Sequence, residues 1–180
     1  MSSVTANELF SYPDPRRHEL VRGVPQVSEP PGGVHGRLAA ILASRLTDQV
    51  ERHRLGTVLV ETGYVLRKDP DTVRGPDVSF LSATRLAPDQ IPHRFIPGAP
   101  DLAIEILSPG RRWPEVEEAL ADYFAGGARM VWVVDPREPV VIVRYPDRPP
   151  RILAGSAFLE GEDVVPGFHL ALADLFGVLT

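Results

Sequence analysis

Residues 100–110 read PDLAIEILSPG, and no other run in the chain is so strongly strand-like. Side chains alternate along an extended backbone. Leu102, Ile104 and Ile106 therefore share one face, and Asp101, Ala103, Glu105 and Leu107 share the other. Glu105 is thus placed mid-strand among apolar neighbours. A buried carboxylate is costly unless it is paired, hydrogen-bonded or metal-bound. Two readings stay open at this point: an edge or end-of-sheet glutamate that reaches solvent or pairs with an arginine, and a metal ligand.

The remaining elements are set by period and punctuation. HELVRGVPQVS alternates around Arg22 and Gly23 and predicts a hairpin or extended pair, closed by EPPGG. Leu38, Ile41, Leu42, Leu46 and Val50 recur at helical spacing and predict a helix over 34–50. VLVETGYVL reads as one or two strands interrupted at Gly63, KDPDTVRGP as a turn-rich connection, and residues 77–81 as a short strand before a long loop to Pro100. Pro109 and Gly110 end the strong strand. Pro114 opens a helix that Gly126 and Gly127 stop. MVWVVD and VVIVRY, separated by PREP, suit an antiparallel pair, with Trp132 and Phe124 expected in the core. Short strands or loops and a final helical turn complete the chain. This order describes an α/β arrangement, a mixed sheet carrying helices in a single domain.

Composition excludes several functions. The chain has no cysteine, so a disulfide scaffold, a thiolate zinc site and a cysteine nucleophile are ruled out. MSSVTANELFSYPDP lacks the basic start and apolar run of a signal peptide, and no stretch reaches bilayer-spanning length, so a cytoplasmic protein is expected. A net charge of −5 argues against a chain that is basic throughout. Basic residues do gather in RHELVR and SRLTDQVERHRL, which permits a local face for nucleic acid and equally a solvated one. The glycine pairs lack the strand–helix setting of a phosphate loop, and His18, His53, His93 and His169 have no metal-ligand spacing.

A second acid accompanies Glu105. Asp77, in RGPDVSF, opens another predicted strand beside a proline that fixes the local backbone. Two carboxylates on neighbouring strands can hold one hard divalent cation through oxygen ligands. Such a cation polarises a scissile phosphate and lowers the pKa of attacking water.

The ordered set HELVRGVPQ, RGPDVSFL, PDLAIEILSPG, ALADYFAGGARMVWVVDP and VVIVRY resembles the Uma2 family, also called the DUF820 group, of the PD-(D/E)xK nuclease superfamily. The resemblance covers about residues 16–176. It implies an N-terminal extension over 1–15, then a domain over 16–180 with a restriction-endonuclease-like mixed β-sheet flanked by helices. It implies a metal-dependent endonuclease that hydrolyses DNA phosphodiester bonds with Mg²⁺ or Mn²⁺. The alternative is a catalytically degenerate nuclease fold with a nucleic-acid-binding or structural/interaction role. In this resemblance Asp77 matches the acid of the PD motif, Glu105 the second acid, and Glu19 an N-terminal glutamate that completes the cluster. The resemblance also implies the main-chain carbonyl of Ile106 as a further metal ligand. With one site per chain, the resemblance also implies a homodimer for cutting both strands.

One part of the pattern is missing. The superfamily lysine, two residues after the second acid, is replaced by Leu107. The position to which Uma2 proteins commonly move it, four residues before Tyr123, holds Ala119. Lys68, the sole lysine of the chain, is one accessory candidate, nine residues before Asp77. Arg111 and Arg112 are others, since guanidinium matches phosphate geometry. His35, at the start of the first long helix, is the last, with capping or packing as its plainer role.

Overall fold

The alternation in residues 102–106 becomes the inner strand of a six-stranded sheet, covered on both faces. The computed structural model describes residues 3–15, 18–27 and 30–177. The expected boundary between residues 15 and 16, and Glu29 of the EPPGG break, touch positions outside the described residues. Along the chain the elements are α1 (Ala6–Phe10), β1 (His18–Val21), β2 (Val24–Val27), α2 (Gly33–His53), β3 (Gly56–Val60), β4 (Tyr64–Arg67), β5 (Thr72–Arg74), β6 (Val78–Ser82), β7 (Ile96–Pro97), β8 (Leu102–Ile106), α3 (Trp113–Ala125), β9 (Met130–Asp135), β10 (Val140–Arg144), β11 (Arg151–Ala154), β12 (Phe158–Glu160), β13 (His169–Ala171) and α4 (Leu172–Phe176).

The main sheet has the order β11-β10-β9-β8-β6-β3, and a second sheet runs β2-β1-β5-β4-β7. The main sheet is mixed because β8 pairs with β9 in parallel and with β6 antiparallel. The parallel pair needs a crossover, and α3 supplies it. The two apolar strands β9 and β10 form the expected antiparallel pair.

The two faces of β8 sort as alternation demands. Leu102, Ile104 and Ile106 pack with Leu38, Leu42, Leu46 and Val50 of α2, and with Trp132 of β9. Ala103 and Leu107 pack on the opposite face with Val116, Ala119, Leu120 and Tyr123 of α3, and with Tyr64 of β4. Trp132 is fully buried, whereas Phe124 is only partly so. Helix α3 begins with Pro114 in its first turn, and the Glu115 carboxylate accepts from the Arg112 backbone N–H at 3.3 Å. The β1–β2 hairpin turns at Arg22 and Gly23, both at positive φ, as a two-residue hairpin turn requires.

One connection proves to be a strand. KDPDTVRGP, expected as turns, contains β5, whose three residues are buried between β1 and β4. Turn-forming residues on both sides conceal a segment too short to display a period.

Residues 6–10, within the expected extension, form α1. Its Ala6 and Leu9 are buried against Leu20 and Val73, and the Ala6 backbone N–H donates to Asp71 at 2.8 Å. If α1 is part of the domain, Leu9→Ala will lower unfolding stability by about 2–5 kcal/mol, the usual cost of emptying a packed leucine site. Urea denaturation measures this. A loss below about 0.5 kcal/mol would mark residues 1–15 as a dispensable extension.

Candidate active site

Strand pairing brings the two sequence-predicted acids together. Val78 of β6 lies opposite Ile104 of β8 in an antiparallel register. Asp77, one residue before Val78, is thereby carried to the level of Glu105, one residue after Ile104. The contact is direct. Asp77 Oδ2 accepts from the Ile106 backbone N–H at 2.6 Å, so its carboxylate sits on the peptide that joins Glu105 to Ile106. The other oxygen, Oδ1, lies 3.1 Å from His35 Nε2.

Glu105 projects to the α3 side of the sheet and is 3% exposed. Tyr123 Oη donates to its Oε1 at 2.6 Å, and Arg111 Nη1 lies 2.9 Å from its Oε2. Burial pushes the Glu105 carboxyl up to about 7; Arg111 opposes that, Asp77 and Glu19 add to it, and the Tyr123 hydrogen bond opposes it. Tyr123 is itself held well above its ordinary range, by burial first and then by the Glu105 charge.

Glu19 reaches the same region from β1. Its Oε2 accepts from Arg74 Nη1 at 2.8 Å, and its Oε1 from the Gly75 backbone N–H at 3.1 Å. Arg74 in turn donates to Asp122 Oδ2 of α3 through Nε at 2.8 Å and Nη2 at 2.7 Å. This buried guanidinium ties β1, β5 and α3 together beside the site. Burial alone would lower its pKa, but the carboxylates of Glu19 and Asp122 outweigh burial and raise it.

Glu19, His35, Glu61, Asp77, Ile106 and Arg111 line one cavity of about 140 Å³. For His35, burial pulls the imidazole down, but the hydrogen bond to Asp77 and the charges of Asp77, Glu61 and Glu105 prevail and raise it. Its Nδ1 is buried without a hydrogen-bond partner among the described residues. Glu61 is raised by burial and by the nearby Asp77.

Other candidates lie apart. Lys68 Nζ sits 3.1 Å from Asp71 and lines a separate groove with Phe10 and Arg94. Arg112 Nε donates to Glu115 at 2.7 Å, on an exposed helix start. Leu107 and Ala119, at the two lysine positions, are buried in the apolar cluster under Glu105.

Sequence reasoning passes over Arg74, Glu61, Asp122 and the hydroxyl of Tyr123 as site residues. The one available signal is RGPD, where Arg74 stands three residues before Asp77. The rest depends on contacts between distant elements.

The donor types suit a hard divalent cation: two carboxylates and the Ile106 carbonyl are all oxygen ligands. Repulsion between Glu105 and the carboxylates of Asp77 and Glu19 is charge that such a cation would relieve. Each acid is at the same time engaged by its own donor. Among the described residues, no three of His, Asp or Glu stand together as a ready-made metal group.

The fold is a single α/β domain whose mixed sheet sets Asp77 beside the buried Glu105. The match to the family described as "Putative restriction endonuclease", Uma2, spans residues 6–173, and the chain belongs to that family. The crystal structure of a putative nuclease belonging to DUF820 from Anabaena variabilis ATCC 29413 superposes with a TM-score of 0.86. It shares 24% identity, over 98% of this chain and 99% of that one, a likeness of fold. No curated protein matches the chain. No helix among the described residues is long and apolar enough to cross a membrane.

Burial of Glu105 has a consequence for stability. Its folded-state pKa lies above the ordinary value of 4.5. The group therefore costs nothing below that value, costs progressively more as pH rises towards about 7, and costs its full amount above. In a chelating buffer, the melting temperature of Glu105→Gln minus that of wild type is expected to grow between pH 5 and pH 8. A difference that is flat, or largest at acid pH, would contradict this electrostatic account.

Proposed function

We propose that the chain is a divalent-metal-dependent endonuclease that hydrolyses phosphodiester bonds of DNA. The observation that carries this reading is the Asp77 carboxylate resting on the Glu105–Ile106 peptide, with Glu105 buried beside it. Asp77, Glu105 and the Ile106 carbonyl would hold Mg²⁺ or Mn²⁺, with Glu19 completing the acidic surroundings. When bound, the cation supplies charge for the scissile phosphate and makes water a competent nucleophile near neutral pH. The protein's own groups position that site. Tyr123 orients Glu105, His35 and the Ile106 N–H orient Asp77, and Arg74 fixes Glu19. Homodimerisation would present two such sites to the two strands of a duplex.

A second reading, a nuclease fold that has lost catalysis, is favoured by Leu107 and Ala119. Both are buried, at 2% and 0% exposure, so neither position offers a cation to phosphate. Loss of one charge-stabilising group commonly lowers rate by about 10² or more.

Both readings are tested on supercoiled and single-stranded DNA with Mg²⁺ or Mn²⁺, using wild type, Asp77→Ala, Glu105→Ala and Ala119→Lys. The expected result is metal-dependent nicking that falls at least about 10²-fold in both alanine variants. Nicking by Ala119→Lys alone would select the degenerate reading, because restoring the missing cation then restores chemistry. Nicking that survives Glu105→Ala would reject the site.

A further inference from the structure

Arg111 stands out among the cations of the site, and its role rests on the reading of Asp77 and Glu105 as metal ligands. Its guanidinium meets Glu105 Oε2 at 2.9 Å, while Tyr123 takes the other oxygen. Glu105 is buried, so its charge is met inside the protein, and Arg111 supplies the cation. Arg74 offers the comparison. Its side chain is 4% exposed and is held at 2.7–2.8 Å by two carboxylates from different elements, as a structural cation should be. The Arg111 side chain is 27% exposed and makes one ion pair among the described residues.

Location matters as much as contact. Arg111 lines the small acidic cavity with Asp77 and His35, and it also lines a wide outer groove of about 850 Å³ with Gln26, Gly32 and Arg112. The side chain thus stands on the border between the acids and an open space large enough to receive it. A guanidinium cannot shed its charge at any ordinary pH. A second cation on Glu105 would repel it, and the outer groove leaves it room to move.

We propose that Arg111 is a built-in counter-cation that occupies Glu105 in the metal-free protein, competes with the divalent ion for that carboxylate, and swings into the outer groove when the site loads. It thereby sets the metal concentration at which the site fills. The same guanidinium keeps a buried carboxylate tolerable when no metal is bound.

The test is calorimetric Mn²⁺ binding at pH 8 to chelator-stripped protein without DNA, using wild type, Arg111→Gln, Arg111→Lys and Glu105→Gln. Removal of a like charge a few ångströms from the ion should tighten Mn²⁺ binding by about 10-fold or more in Arg111→Gln. Arg111→Lys, which keeps the charge, should remain within about 3-fold of wild type. In wild type, ¹⁵N spectra of arginine Nε during a Mg²⁺ titration provide a readout that does not depend on a variant folding. The Arg111 signal should move towards that of a free side chain while Arg74 stays fixed.

Failures separate cleanly. Mn²⁺ binding that Glu105→Gln weakens, but that Arg111→Gln leaves unchanged or weakens, overturns this inference alone. An Arg111 signal unmoved while metal binds does the same. Mn²⁺ binding indifferent to Glu105→Gln, or absent from both wild type and Arg111→Gln, overturns the metal site and this inference with it.

Discussion

A carboxylate inside the main sheet is the constraint on which this structure turns. Glu105 lies on β8, between β6 and β9, on a face otherwise packed with Ala103, Leu107, Val131 and Val133. Placing an ion there costs several kcal/mol even after relaxation. Hydrogen bonds involving a charged group recover about 1.5–3 kcal/mol each. The Tyr123 hydrogen bond and the ion pair with Arg111 each offset part of the cost without removing it, in keeping with the upward displacement of the Glu105 pKa. A fold selected for stability alone would place leucine at this position. An acid held there, with a tyrosine from one element and an arginine from another directed at it, is the pattern expected where burial serves chemistry.

The surrounding architecture brings more negative charge to that point. Antiparallel pairing of β6 with β8 delivers Asp77, and the neighbouring sheet delivers Glu19 from β1. Like charges would drive these strands apart without fixed positive partners. Arg74 answers Glu19 and Asp122 together, and His35 answers Asp77 from the first turn of α2. Hydrogen-bonding partners are thus distributed among the acids. That distribution explains why Glu105, Asp77 and Glu19 lie near one another without forming a single ligand group among the described residues.

How much of this is legible in the sequence depends on the range of each interaction. The two faces of β8 are written in the alternation of residues 102–107, and α2 in the spacing of Leu38, Leu42, Leu46 and Val50; the structure keeps both assignments. Asp77 and Glu105 are visible because each is an acid in an apolar strand context. Glu61 is not, since it sits beyond the end of β3 at positive φ, where an acid in a turn is unremarkable. Arg74 is hidden for a related reason. Its three-residue strand has no period to read, and its partners Glu19 and Asp122 are 55 and 48 residues away. Local pattern reveals which residues share a face, whereas the closing of an acid–base network depends on how two sheets and a helix dock.

The missing lysine is where sequence and structure together say more than either alone. From sequence, Leu107 and Ala119 are two apolar residues in positions where a cation is expected. In the structure both are packed into the cluster that covers Glu105, with Ala119 one helical turn before Tyr123, so the gap has been closed with hydrocarbon. A lysine at 119 would have to run its stem through that apolar cluster, one helical turn before Tyr123. Positive charge beside Glu105 is thus not absent from this chain. It comes instead from the loop after β8, on a side chain that reaches both the acids and the outer groove. The Arg111 side chain is 27% exposed, against 4% for Arg74, so the cation beside Glu105 is the more open of the two guanidinium groups at the site.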